Sequence, residues 1–453
     1  MAGTGTRMSR RRLMTTTAAV AAGALLAPAA AQATPIAKGK RTGGLDPVPA
    51  LERVAHPLRT TEPGGSAADL RALGAMVGGA KVVGLGEATH GSHEFFAMKE
   101  RIFRYLVEEK GFTTFALETS WSAGLLIDEY LQGGEGDARR IAKETLGGSP
   151  WDREEFASLI GWMREYNRRH PHRTVHFMGD DIGAPKLGDD IFRRVTGYVE
   201  RHHPQALPRL NELYAGLRPL DDAFAYLRKP IAERKRLATD AQRALTLVSG
   251  LKGWNGGAFG WVVQHARSIS QTAAFLAFDL ADPVARPRAQ RYRDQVMAEN
   301  VTWWHQRTGH KMLMSAHNGH VAYVSDDPVE YPKSQGAFLR DALGRRYLPI
   351  GFSFDRGSFL SQDAGLGSPW KKFTVGSAAP GSNEYTLDQV RHRDYYVDVR
   401  TAPAAARVWL EGARPTYAFG TQYPYPLADV SIARSYDVLI HLHQVREAEK
   451  LEG

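Results

Sequence analysis

Glu87 and His90 stand three positions apart in the stretch Gly84-Leu-Gly-Glu-Ala-Thr-His-Gly-Ser92. A carboxylate and an imidazole that close can share one cleft, the imidazole as general base and the carboxylate fixing its tautomer. An unperturbed imidazole titrates near about 6.5, so it is partly neutral at physiological pH, as a base must be. Three later stretches deliver the same residue types. Glu118 closes Phe112-Thr-Thr-Phe-Ala-Leu-Glu118, Asp180 and Asp181 follow Thr174-Val-His-Phe-Met178, and His317 and His320 follow Lys311-Met-Leu-Met-Ser-Ala316. Loops after strands are usually polar, and any one of these acids alone reads as a cap or turn residue. Four successive apolar runs that each end in an acid or an imidazole point instead to one common site.

Lys99 adds to the set. It shares a helix face with Phe96 and Phe103, so it either snorkels to solvent or reaches into the cleft to meet an anion or developing oxyanion. His317-x-x-His320 together with His90 also satisfies the ligand chemistry of zinc. With no His-Glu-x-x-His helix and no cysteine ligand, a divalent metal ranks second to a site without a cofactor.

The elements that must position these residues follow from periodicity. Lys81 to Leu85 predicts a buried strand, and Glu94 to Lys110, with Phe95, Met98, Ile102, Phe103 and Leu106 at helical spacing, predicts the helix after it. A strand that turns directly into a helix leaves its loop at the carboxyl edge of the sheet, where open α/β sheets bind ligands. Phe112 to Glu118, Thr174 to Met178 and Lys311 to Ala316 predict three more strands. Later candidates are Tyr347 to Phe354, Lys372 to Val375, Tyr395 to Val399, Ala406 to Leu410 and Asp437 to His441. Between Asp189 and Thr308 the periodicity is helical throughout and rich in aromatics, among them Trp254, Trp261, Trp303 and Trp304. The expected fold is α/β, a mainly parallel sheet flanked by helices, with a helical insertion over about 189–308 forming one wall of a central cleft. That domain is expected to span 66–453, after an irregular arm over 34–65.

The first 33 residues read as an export signal. Ser9-Arg-Arg-Arg-Leu-Met14 precedes an apolar run from Ala18 to Ala31, and Ala31-Gln-Ala33 offers small residues for cleavage. The arginine cluster resembles a twin-arginine signal, which makes the twin-arginine export machinery an expected partner. Four of the 58 basic residues lie there, leaving 54 against 49 acidic ones, spread rather than clustered. Nucleic acid is not an expected partner. Other chemistries fail on their motifs. Gly351-Phe-Ser353-Phe-Asp355 lacks the second glycine of a nucleophile elbow. Ser92 stands where a phosphate-binding loop needs lysine.

Gly86-Glu-Ala-Thr-His-Gly91, the helix to Arg104, Phe115-Ala-Leu-Glu118, Met297-Ala-Glu-Asn300 and Ala316-His-Asn-Gly-His-Val321, in that order, resemble the erythromycin esterase family. The resemblance implies an α/β core with helical additions, a deep cleft, and ester hydrolysis without a serine nucleophile, in which a histidine activates water. By motif, His90 would be the general base, Glu87 and Glu118 would orient it or stabilise its charged form, and His317 would be a second functional imidazole. Lys99, where the family commonly has arginine, is expected to bind substrate with His320, Asp181 and Asn300. The expected substrate is a small-molecule carboxylic ester or lactone, macrolide-like compounds included. Two other readings share these residues: an exported metal- or haem-binding protein on a similar scaffold, and a non-hydrolytic cyclase of a biosynthetic pathway.

Overall fold

The computed structural model describes residues 46–183, 187–218, 220, 222–251, 257–363 and 368–452. The export-like segment, the start of the arm and Trp254 lie outside the described residues. The strands, in chain order, are β1 (His56–Pro57), β2 (Val82–Leu85), β3 (Thr114–Ser120), β4 (His176–Asp181), β5 (Met312–Ser315), β6 (Tyr347–Ser361), β7 (Lys371–Val375), β8 (Tyr395–Asp398), β9 (Arg414–Thr416), β10 (Ala428–Val430) and β11 (Val438–Val445). A nine-stranded sheet runs β1-β8-β11-β6-β2-β5-β3-β4, with β7 paired to β6, and β9 and β10 form a separate antiparallel pair.

From β11 to β4 the neighbours are all parallel, whereas β8, β1 and β7 are antiparallel additions. A parallel sheet is covered on both faces, so its strands read as apolar runs rather than alternating ones. Every residue of β2, β3 and β5 is buried accordingly. The order β2-β5-β3-β4 places the four polar strand ends side by side on one edge of the sheet. Their convergence is therefore a consequence of topology.

The helical insertion forms as its periodicity predicts. In Ile231–Ser249 the buried Leu237, Ala241, Ala244 and Val248 recur every three or four residues and face the neighbouring Gly257–Leu276 helix. Its aromatics mainly pack on one another: Trp121 from the sheet side sits 5.8 Å from Trp303 and 5.9 Å from Trp304, ring centre to ring centre. The last insertion helix, Arg286–Thr308, supplies a wall of the cleft through Arg286 and Arg293.

Two expectations need correction. Ala406 to Leu410 is not a strand but part of a helix, Ala404–Glu411. Ala404, Ala405 and Ala406 favour helix, and the buried pair Ala406 and Leu410 has helical spacing while Val408 is exposed. The described end of the arm is also not wholly irregular. Val48–Glu52 is a short helix that buries Ala50 and Leu51, and β1 pairs with β8. A two-residue strand whose partner lies far along the chain leaves no periodic signal.

The loop after β2 meets β6 backbone to backbone at Gly91. An added Cβ there would lie 2.0 Å from the Leu360 carbonyl oxygen, while Leu360 N donates to Gly91 O at 2.9 Å. Gly91→Ala is therefore expected to destabilise the fold by about 1–3 kcal/mol, the usual range for overpacking, read as a lower urea midpoint.

Candidate active site

The loop between β2 and the His93–Lys110 helix is pinned at several points. Gly86 N donates to Ile350 O at 2.9 Å, Phe419 N to Ala88 O at 2.8 Å, and Ala448 N to Gly91 O at 2.9 Å. Thr89 and Ser92 hydroxyls bond each other at 2.6 Å. Glu87 is thereby held inside the protein with no exposure, its Oε1 2.5 Å from Nδ1 of His90. That contact leaves Nε2 of His90 as the nitrogen free for chemistry at the cavity the residue lines. Burial opposes charge on Glu87, but Lys99 and His90 more than reverse this and hold its carboxyl below the ordinary value.

His317 stands beside His90, ring centres 5.1 Å apart, and Trp151 meets His90 edge-on at 5.8 Å. The backbone N–H of Gly319 donates to Nδ1 of His317 at 3.2 Å, which puts the imidazole proton on Nε2. Nε2 is buried and has no partner among the described residues. Burial, with His90 close by, pulls His317 down to about 3, so it is a neutral hydrogen-bond donor. His320, one turn on, has the opposite character. Its Nδ1 lies 2.7 Å from Asp294 and its Nε2 3.3 Å from Glu118. Burial disfavours its charge, but these two acids outweigh that and raise it well above its ordinary value.

Glu118 organises this half of the site. Its Oε2 accepts the backbone N–H of His317 at 3.0 Å and its Oε1 accepts from Arg293 at 2.8 Å. Although buried, it is held well below the usual carboxylate range by His320 and Arg293. Glu118 thus positions His317 rather than bonding His90. Arg293 also forks onto Asp181, with Nε 3.0 Å from each carboxylate oxygen.

His90, Glu118, Arg293, His317 and His320 line a cavity of about 150 Å³. Its outer wall comes from Tyr331 and from a late loop carrying Gly420, Gln422 and Tyr425. Lys99, Asp181 and Asn300 do not line it, which corrects their expected role as substrate contacts. Lys99 is 1% exposed, and its ammonium is used up by Glu87, by Ser315 Oγ at 2.9 Å and by Ala316 O at 3.4 Å. It neither snorkels nor reaches the cleft. Asp181 is consumed by Arg293. Asn300 spends its amide on Asp180 O and Gln264, each at 2.9 Å.

Sequence reasoning missed Arg293, Asp294 and the 418–428 wall. Arg293 had a signal, since it falls in the buried stripe of Met297, Asn300 and Trp304 at helical spacing. The wall had none, because a loop facing a cavity needs no particular residue types.

The ligand atoms of His90, His317 and His320 do not fall within one group among the described residues. Among the described residues the ligand atoms that do come together, within 4.8 Å, belong to Asp355, Asp388 and His443, with Arg356 donating to Asp355 at 2.8 Å. A guanidinium there already supplies a cation.

A family model described as erythromycin esterase matches residues 107–445. The chain belongs to the erythromycin esterase family. The match begins after Glu87, His90 and Lys99. The chain is 22% identical to an erythromycin esterase type II of Escherichia coli over 323 residues, 66% of this chain and 74% of that one. A solved structure of a succinoglycan biosynthesis protein, 29% identical, superposes with a TM-score of 0.80 over 91% of this chain and 100% of its own. A mutant of the erythromycin esterase EreC in its open conformation, 18% identical, shares the fold at a TM-score of 0.71 over 88% of this chain and 100% of its own. Family membership supports an ester-type hydrolase.

One buried acid gives a test of these electrostatics. Asp180 accepts from Gln335 at 2.8 Å through one oxygen while the other has no partner among the described residues. Burial, with Asp181 and Glu118 adding to it, raises Asp180 well above its ordinary value. A carboxyl raised on folding is stabilising below its unfolded pKa and costs stability as pH rises toward its folded one. Asp180→Asn should therefore gain stability relative to the wild type from about pH 4 upward, by at most about 1.4 kcal/mol per pH unit. Urea midpoints across that range check it.

Proposed function

We propose that this protein hydrolyses a carboxylic ester or lactone with water activated by His90. The observation that carries the reading is the Glu87–His90 contact at 2.5 Å, which leaves Nε2 of His90 at a cavity beside the unpartnered Nε2–H of His317. In this mechanism His90 Nε2 takes a proton from water as the oxygen attacks the carbonyl carbon. Glu87 stabilises the imidazolium that forms. The carbonyl oxygen becomes an oxyanion and accepts a hydrogen bond from His317, a donor held in place through its backbone by Glu118. When the carbon–oxygen bond to the leaving group breaks, His90 returns its proton to the alkoxide, giving an acid and an alcohol. No covalent enzyme intermediate forms.

Macrolide-like lactones are a substrate class to test because relatives carry the erythromycin esterase name. We also place the activity outside the cytoplasm, on the reading of residues 1–33 as a twin-arginine signal cut near Ala33. Protein recovered outside the cytoplasm of a native host should begin at Thr34; uncut protein confined to the cytoplasm would end that part of the proposal.

A panel of esters and lactones, followed by mass spectrometry, should yield a product heavier by one water. A product lighter by one water would favour ring closure instead. His90→Ala is expected to keep the fold and lower kcat/KM by about 10²–10⁴-fold, the usual contribution of a general base. Full activity in that variant would remove His90 from the mechanism.

A further inference from the structure

We propose that Lys99 is a positioning residue that supplies the counter-charge to Glu87, so that His90 can rest unprotonated. The inference rests on the reading of His90 as the general base. Glu87 has no exposure, and a carboxylate in that situation requires a positive partner. Two groups touch it, one on each oxygen: His90 Nδ1 on Oε1 at 2.5 Å and the Lys99 ammonium on Oε2. If His90 were the only partner it would hold a proton to balance the acid, and an imidazolium has no lone pair to offer water. With Lys99 in place the balance is already met.

The placement of Lys99 suits this task. Its ammonium is anchored by Ser315 Oγ at 2.9 Å and Ala316 O at 3.4 Å and is absent from the cavity lining. The other charges around His90 belong to a separate network of ion pairs. Glu118 is paired with Arg293 at 2.8 Å and with His320 at 3.3 Å, and Arg286 with Glu330 at 2.7 Å. His317, beside His90, is neutral. Asp326, Asp327, Tyr331 and Tyr425 stand elsewhere on the cavity wall. Trp151 and the Gly420 loop bring no charge to the imidazole. When His90 takes a proton from water, the Lys99–Glu87–His90 line gains one positive charge as the carbonyl oxygen gains one negative charge. The two appear together.

The test is a titration of His90 itself, by nitrogen-15 NMR of histidine-labelled protein, assigned by the signal lost in His90→Gln. Lys99→Met should move the His90 midpoint upward by ~1 pH unit or more, the scale on which a nearby charge acts. The acid limb of kcat/KM should move with it, leaving about tenfold less activity on that limb for each unit. Lys99→Arg, which keeps the charge, should titrate as the wild type does. An unmoved midpoint in folded Lys99→Met overturns the inference. Should Lys99→Met not fold, the wild type decides alone: at about pH 7.5 His90 must show the neutral form with its proton on Nδ1, and an imidazolium there overturns the inference. Failure of the esterase reading looks different, since no panel compound would then be hydrolysed although the midpoint moves.

Discussion

A carboxylate buried beneath a cavity must find a cation, and most of this structure depends on how Glu118 finds two. Its partners come from distant parts of the chain. Arg293 lies on the last helix of the insertion and His320 on the short turn after β5. Arg293 also holds Asp181, so one guanidinium ties the ends of β3 and β4 to the insertion. The insertion is therefore more than a cover for the sheet. It delivers the charge that, with His320, holds Glu118 well below the usual carboxylate range, and through Glu118 it fixes the backbone of His317.

Two imidazoles three residues apart show how far environment overrides residue type. His317 sits where burial dominates and stays neutral, whereas His320 sits between Asp294 and Glu118 and is held charged. Groups whose surroundings push their pKa values apart take different roles. His317 is equipped to donate a hydrogen bond, and His320 is a fixed charge within the framework. The third imidazole, His90, is held by a single acid, Glu87, which leaves its Nε2 at the cavity.

The sheet and the strand-end pattern were legible because parallel strands announce themselves as apolar runs, and topology then leaves little choice about where their ends lie. Glu87, His90, Glu118 and His317 could be placed at one site on that ground. Lys99 could not be placed, since helical spacing gives the face of a side chain but not its partner. The spacing of Lys99 allows solvent or cleft, and the side chain takes a third course beneath the loop, to Glu87, Ser315 and Ala316. The 418–428 wall and β1 escaped for a related reason. Each is decided by contacts made far along the chain, and local pattern carries no record of them.

β11 occupies a position with consequences for biogenesis. It lies between β6, with which it runs parallel, and β8, with which it runs antiparallel. Until residue 445 has left the ribosome, a nascent chain would hold β6 and β8 with open flanks, and such flanks invite pairing with other chains. Completion of the sheet thus waits on β11. The hydrogen bond from Ala448 to Gly91 then draws the loop after β2 into the same closing step, so a chain extended only as far as β8 would carry Glu87 and His90 without yet having an assembled site.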